Sequence, residues 1–280
     1  MTPEVVWYEG QRGSWCQAIV EWLTEGFTHR MGINESKSDG AIVVVKADSL
    51  PDGSCEKFVQ DTEHLKWMLC IMTGNEEGTV DIQALEGDCR VKLWLQTPHR
   101  YQAADRVLPW GWTPGCSTEI HNSKFWDWSF AGQITHKRRE EFLKVAEKTN
   151  GIKLLLTTKG FAKGVSQEAY YKVLAGTKVA PCPSGPITVD SFRVCEALQL
   201  GAVPILDCMS PEGAYVEYWQ RVFPHHPFEI LTEWRMFPFQ LDHILKNWNM
   251  VSECVQQYWT KWKSDLKTAL DDDLRTIGAK

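Results

Sequence analysis

Apolar residues fall along this chain in short continuous runs, separated by stretches in which they recur at helical spacing. Residues 5–8 form a β-rich run followed by Gly10 and Gly13, after which Trp15, Ile19, Trp22 and Leu23 recur every few positions. This predicts a strand, a glycine turn and a helix. Runs at 41–45, 67–72 and 91–95 are bounded by glycine, asparagine or proline and read as further strands. Because the runs are continuous rather than alternating, they predict strands covered on both faces, as in a parallel sheet. Between 108 and 123 the pattern breaks into Pro109, Gly111, Pro114 and Gly115, which places a domain boundary near residue 121.

Beyond that boundary the alternation resumes. Strands are predicted at 128–130, 152–156, 179–182, 203–206 and 228–231, and helices at 137–148, 167–174, 190–200 and 215–223. Strands alternating with helical patterns imply right-handed βαβ units. The fold class expected is α/β, with two Rossmann-like, doubly wound domains facing a cleft, one over 1–121 and one over 122–245. Residues 240–274 are helical in pattern, with Tyr258, Trp259 and Trp262 clustered on one face. A long C-terminal helix over 246–280 is therefore expected to pack back on the N-terminal domain.

Composition narrows the class. A chain of 280 residues, 43% hydrophobic and 24% charged, has the balance of a folded protein and not of a disordered tail, a collagen or a rod. No run approaches the roughly 18 apolar residues of a membrane span, and Glu4, Glu9, Glu21 and Glu25 occupy the region where a signal peptide would be basic and then apolar. A cytoplasmic protein without a membrane span is expected. Its 9 cysteines form an odd set with no C-x-x-C pair, which fits a reducing compartment and not a thiolate zinc site. Residues 1–121 hold 10 basic and 18 acidic side chains, so this half does not advertise a phosphate-backbone partner. The 14 tryptophans suit core filling more than stacking platforms.

Candidate chemistry concentrates at 181–206. A strand ends there in a Pro/Gly turn, a helix opens near Thr188, Asp190 or Ser191, and Gly201 ends it before the next strand. Free N–H groups at such a helix start, on the carboxyl edge of a parallel sheet, form a seat for phosphate. Gly185 lets the backbone approach, and Ser191 and Arg193 can donate to phosphate oxygens. Glu196 falls near the apolar face of the same helix, where a carboxylate needs a partner. Two ribose hydroxyls would satisfy it, and so would a neighbouring arginine or backbone amide.

The pattern Ser191-x-Arg193-x-x-Glu196-Ala197-Leu198-x-x-Gly201-x-Val203-Pro204 resembles the donor-binding signature of GT-B glycosyltransferases, particularly the exostosin-like family. Ser129-Phe-Ala-Gly132 followed by Arg138-Arg139 is similar to the strand, glycine turn and basic helix that open that family's second domain. The resemblance covers residues 125–210, and no motif extends it to 1–121. It implies a metal-independent transferase that moves a sugar from a nucleotide-sugar donor, a UDP-sugar, to an acceptor hydroxyl, with no obligatory cofactor. Glu196 would hold the ribose, and Gly185, Ser191 and Arg193 would lie near the diphosphate. Arg138, Lys159 and Lys163 are further cationic candidates, although a solvated loop accounts for the two lysines equally well. The sole Asp-x-Asp, at 271–273, lies in the terminal helix and not after a strand, so no metal site is expected.

The acceptor's proton requires a base. Glu76 and Glu77, in the loop after the 67–72 strand, are the candidates, with one turned inward or both solvated. The Gly10–Gly13 turn with Arg12 is a rival location, and His99, Arg100, Trp110 and Trp112 are further candidates to meet the acceptor. That acceptor is a glycan or small molecule, or a hydroxymethylated base of DNA. Two other readings stand beside the transferase: a nucleotide-sugar epimerase of the same architecture, and a binding module without chemistry.

Overall fold

The structure, a computed structural model, describes residues 3–8, 12, 17–33, 38–50, 53–97, 102–116, 123–158 and 164–278. The chain divides into two compact units, one comprising Met1–Gly111 with Lys263–Lys280 and the other Trp112–Trp262.

In the first unit, β1 (Glu4–Trp7) leads through α1 (Ala18–Leu23) to β2 (Thr28–Met31) and β3 (Gly40–Lys46). Then follow α2 (Glu56–Asp61), β4 (Trp67–Thr73), α3 (Gln83–Glu86), β5 (Val91–Gln96) and β6 (Arg106–Leu108). All neighbouring strands pair in parallel, in the order β2-β1-β3-β4-β5-β6. Val6, Val43, Cys70 and Leu93 on one face bury against Phe58 of α2 and Leu85 of α3. The alternate residues Val5, Trp7, Ile42, Val44, Leu69 and Ile71 are buried as well. Burial of both sets is the reason the strands read as unbroken apolar runs. The edge strands β2 and β6 carry Thr28, His29, Arg30 and Arg106, and their mixed polarity hides them from a pattern search. The crossover helices α2 and α3 are shorter than the 10 to 15 residues expected of βαβ units, with 6 and 4 residues.

The second unit repeats the plan. Its elements are β7 (Trp126–Gln133), α4 (Lys137–Ala146), β8 (Lys153–Thr158), α5 (Gln167–Ala175), β9 (Thr177–Cys182) and α6 (Phe192–Gln199). They continue with β10 (Val203–Asp207), α7 (Trp219–Val222), β11 (Ile230–Leu231), α8 (Phe237–Lys246) and α9 (Trp248–Gly278). The five parallel strands run β11-β10-β9-β7-β8. The chain moves from β7 outward to β8 and then returns across β7 to β9, so the winding reverses between β7 and β9. Such a reversal opens a crevice at the carboxyl ends of the two strands. Here the β7–β9 ladder holds Trp126 opposite Thr177 and Trp128 opposite Val179, whereas the β7–β8 ladder continues to Gln133 opposite Thr158.

The second unit starts at Trp112, earlier than the expected boundary at 121. Trp112 meets Trp259 edge-on with ring centroids 6.1 Å apart, and Thr113 donates to Glu196. The helical tail is two helices, parted at Asn247. Val255, Trp259, Trp262, Leu266, Leu270 and Ile277 form the buried stripe of α9, whose residues pass from the second unit to the first at Lys263. Within the second unit the tail aromatics fill core: Trp259 and Trp262 stack at 5.0 Å, and Phe223 meets Trp262 at 5.1 Å. No helix among the described residues is long and apolar enough to cross a membrane.

One lysine ties two helix ends together. Lys124 Nζ donates to the carbonyls of Ala175 and Leu200, each at 2.7 Å, and so serves the C-termini of α5 and α6 at once. Burial pushes its pKa down to about 8. Folding therefore releases a proton between about pH 8 and the ordinary lysine value, and the unfolded chain binds more protons throughout that window. Lys124→Met is expected to cost about 2 kcal/mol at pH 7.5, because the carbonyls lose a charged donor. Denaturant unfolding of both proteins should show this deficit growing as pH rises from 8 to 10; a deficit independent of pH would contradict the assignment.

Candidate functional site

The carboxyl edge of the second sheet gathers an unusual set of cations. Arg193, in the first turn of α6, lays its guanidinium 4.4 Å from the Phe130 ring centroid and donates from Nη2 to the Ala131 carbonyl at 2.6 Å. Gly132 permits this approach, since a Cβ there would stand 2.6 Å from Nη2. Arg139, buried on α4, donates from Nε to the Ser184 carbonyl at 2.9 Å and from Nη1 to Gln133 at 3.0 Å. The two arginines thus close off carbonyls where β7 and β9 end. Arg139 has its pKa driven down to about 9, by burial first and by the charge of Arg193 second. The Arg139 and Arg193 guanidinium groups thus lie close enough for the charge of one to act on the other.

Nε of Arg193, Oγ of Ser191 and Nδ1 of His136 are buried without a hydrogen-bond partner, and beside them lies the buried Asp190 carboxylate, which accepts from Tyr218 Oη at 2.6 Å. Ser191 is the N-cap of α6 and its backbone is extended, as a cap requires, yet its hydroxyl makes no capping bond. Buried polar groups in folded proteins are nearly always paired, so these orphans make the edge the candidate site of the second unit. Gly185 belongs to the same turn. A Cβ on it would meet the Asp190 carbonyl at 2.3 Å, so glycine is what lets residues 185–190 fold back before α6.

The sequence matches no protein-family model and no curated protein.

Ser191 and Arg193 share the start of α6, and Gly185 packs against the Thr188 and Asp190 backbone just before it. Arg138 does not join them. Its Nη2 and Nε form a fork on the Asp207 carboxylate, at 2.7 and 3.2 Å, while Nη1 reaches Glu141 at 2.8 Å and Nη2 also meets the Thr232 carbonyl at 3.1 Å. Asp207 is fully buried and accepts from the Trp234 indole as well. Arg138 is thus a core strut beneath the sheet edge. Lys159 and Lys163 lie outside the described residues.

Glu196 is 4% exposed, with both carboxylate oxygens engaged inside the unit. Oε1 accepts from Thr113 Oγ1 at 2.7 Å and Tyr171 Oη at 3.2 Å, and Oε2 accepts from Tyr170 Oη at 3.0 Å. Thr113 Oγ1 and Tyr171 Oη also contact one another, and Gln167 Nε2 donates to Thr113 Oγ1 at 3.0 Å. Burial, with the Glu196 charge second, pushes both tyrosines above their usual range and keeps them as donors. The carboxylate therefore binds the junction segment to α5 and α6.

In the first unit, Glu76 is half-buried and Glu77 exposed, on a loop after β4 closed by Asn75, whose amide exchanges two hydrogen bonds with Val80 at 3.2 and 3.1 Å. Arg12 lies 5.9 Å from the Trp7 ring centroid and pairs with Glu21 at 3.2 Å. Gly10, Gly13, His99 and Arg100 lie outside the described residues. Trp110 and Trp112 are both buried, 7% exposed, and pack as core.

Sequence reasoning missed His136 and left Arg139 without a place in the site. Their signal was the turn between Gly132 and the Lys137-Arg138-Arg139 helix start, which the reversal of winding puts at the crevice. Glu196→Ala is expected to lower unfolding stability by about 3 kcal/mol, since three hydroxyls, one of them fully buried, lose their acceptor, while Glu196→Gln should recover most of that loss. Equal stability of the alanine variant and the parent would show that the carboxylate has no internal duty.

Proposed function

We propose that the second unit binds the diphosphate of a nucleotide sugar and that the protein transfers the sugar to an acceptor hydroxyl, in the manner of a GT-B glycosyltransferase. The observation that carries this reading is the pair of orphaned donors, Arg193 Nε and Ser191 Oγ, at the winding reversal of a doubly wound sheet. Departure of a nucleoside diphosphate places growing negative charge on phosphate oxygens, and fixed guanidinium, hydroxyl and helix-start donors stabilise that charge in a site shielded from water. Arg139 adds to the field from behind. Gly185 shapes the turn, and Lys159 and Lys163 remain cationic candidates from the resemblance. Glu196 and Arg138 are left out of the proposed ligand set because each is held within the core.

A UDP-sugar is the proposed donor, with a glycan, a small molecule or a hydroxymethylated DNA base as acceptor. Glu76 and Glu77 are kept as candidates for taking the acceptor's proton. The internal engagement of Glu196 and Arg138 also favours a second reading, a nucleotide-binding module without chemistry. The two separate cleanly on release of UDP from a series of UDP-sugars, followed with and without acceptor.

Arg193→Gln is expected to weaken UDP binding at least tenfold by calorimetry on the folded protein, with a somewhat lower unfolding midpoint because the Ala131 carbonyl loses a charged donor. Glu76→Gln or Glu77→Gln should slow sugar transfer while leaving UDP affinity intact. Absence of both UDP binding and UDP release would remove the proposal; binding without release would select the module.

A further inference from the structure

The orphaned atoms at the second sheet's edge are not all of one kind. Arg193 Nε is a donor, Ser191 Oγ can donate or accept, and His136 Nδ1 is the third. The His136 ring is fixed by its other nitrogen, for Nε2 lies 3.1 Å from the Ser184 carbonyl. A carbonyl only accepts, so Nε2 must carry the hydrogen, and in the neutral ring Nδ1 is then a bare acceptor. The same Ser184 carbonyl takes the Arg139 Nε–H at 2.9 Å, which locates the imidazole beside the cationic spot at the end of β9. Burial, followed by the Arg139 charge, lowers the His136 pKa and keeps the ring neutral.

Two of the three orphans are met by a phosphate, whose ionised oxygens accept. The third is not, because an acceptor cannot satisfy an acceptor. A ligand that completes this edge therefore carries anionic oxygens together with an O–H or N–H donor. We propose that His136 is a binding residue of this site, and that its Nδ1 accepts a hydrogen bond from a hydroxyl of the phosphorylated ligand. This deepens the nucleotide-sugar reading and rests on it. The hydroxyl belongs either to the ribose or to the transferred sugar, two sources that share one chemistry.

The test uses the full chain labelled with ¹⁵N-histidine, titrated with sulfate, with UDP and with UDP-glucose, while calorimetry measures affinity in parallel. Sulfate carries no donor and is expected to leave the His136 Nδ1 signal at its free, unprotonated position. UDP-glucose is expected to move it; a matching movement with UDP assigns the hydroxyl to the ribose, and movement with UDP-glucose alone assigns it to the sugar. His136→Phe should weaken the active ligand about tenfold. His136→Gln, which offers both a donor for Ser184 and an acceptor oxygen, should restore part of the loss. If UDP and UDP-glucose bind and the Nδ1 signal stays in place, the role of His136 is wrong while the nucleotide reading survives. If neither ligand binds, the nucleotide reading falls and takes this inference with it.

Discussion

A charge removed from water must be met by protein groups, and in the second unit that requirement sorts the ionisable side chains into carboxylates held by side-chain donors and guanidinium groups held by backbone carbonyls. Asp207, at the end of β10 and without exposure, takes the Arg138 fork and the Trp234 indole. Glu196 takes two tyrosines and a threonine. With both carboxylates satisfied, neither remains to neutralise Arg139 and Arg193, which turn to backbone carbonyls. Carbonyls accept hydrogen bonds without cancelling charge. A third buried acid, Asp190, stays near them and accepts from Tyr218 Oη at 2.6 Å.

That arrangement divides neighbouring residues sharply. Arg138 and Arg139 are adjacent, yet one braces the core and the other faces the strand ends, because successive helix positions turn by about 100°. The residues of α6 divide in the same way. Its first turn carries Ser191 and Arg193 with atoms still unpaired, and its next turn carries Glu196, bound to the chain entering the unit at Thr113. One short helix therefore joins the carboxyl edge of the sheet to the start of the unit's own sequence.

The parallel sheets were legible because burial on both faces leaves continuous apolar runs, as in β3 and β4. The edge strands β2 and β6 were not, since a strand paired on one side tolerates Arg30 or Arg106 without an apolar run. At the site, Ser191, Arg193 and Gly185 could be read from a turn and a helix start, which are local features. The partners of Glu196 could not. Tyr170, Tyr171 and Thr113 lie 25 to 83 positions away along the chain, and the sequence signalled only that the carboxylate needed some partner. His136 was missed for the opposite reason: its meaning lies in one bare nitrogen, visible only when the Ser184 carbonyl fixes the other.

The first unit is discontinuous, taking its last segment from Lys263–Lys280, and Trp94 on β5 hands its indole hydrogen to Asp273 at 2.9 Å, across 179 residues. The second unit is contiguous. A chain leaving the ribosome therefore completes its later-encoded half first, while the earlier sheet waits for the end of α9 to cover it. Newly made polypeptide carries an uncovered apolar face for most of its synthesis, the kind of surface on which chaperones act.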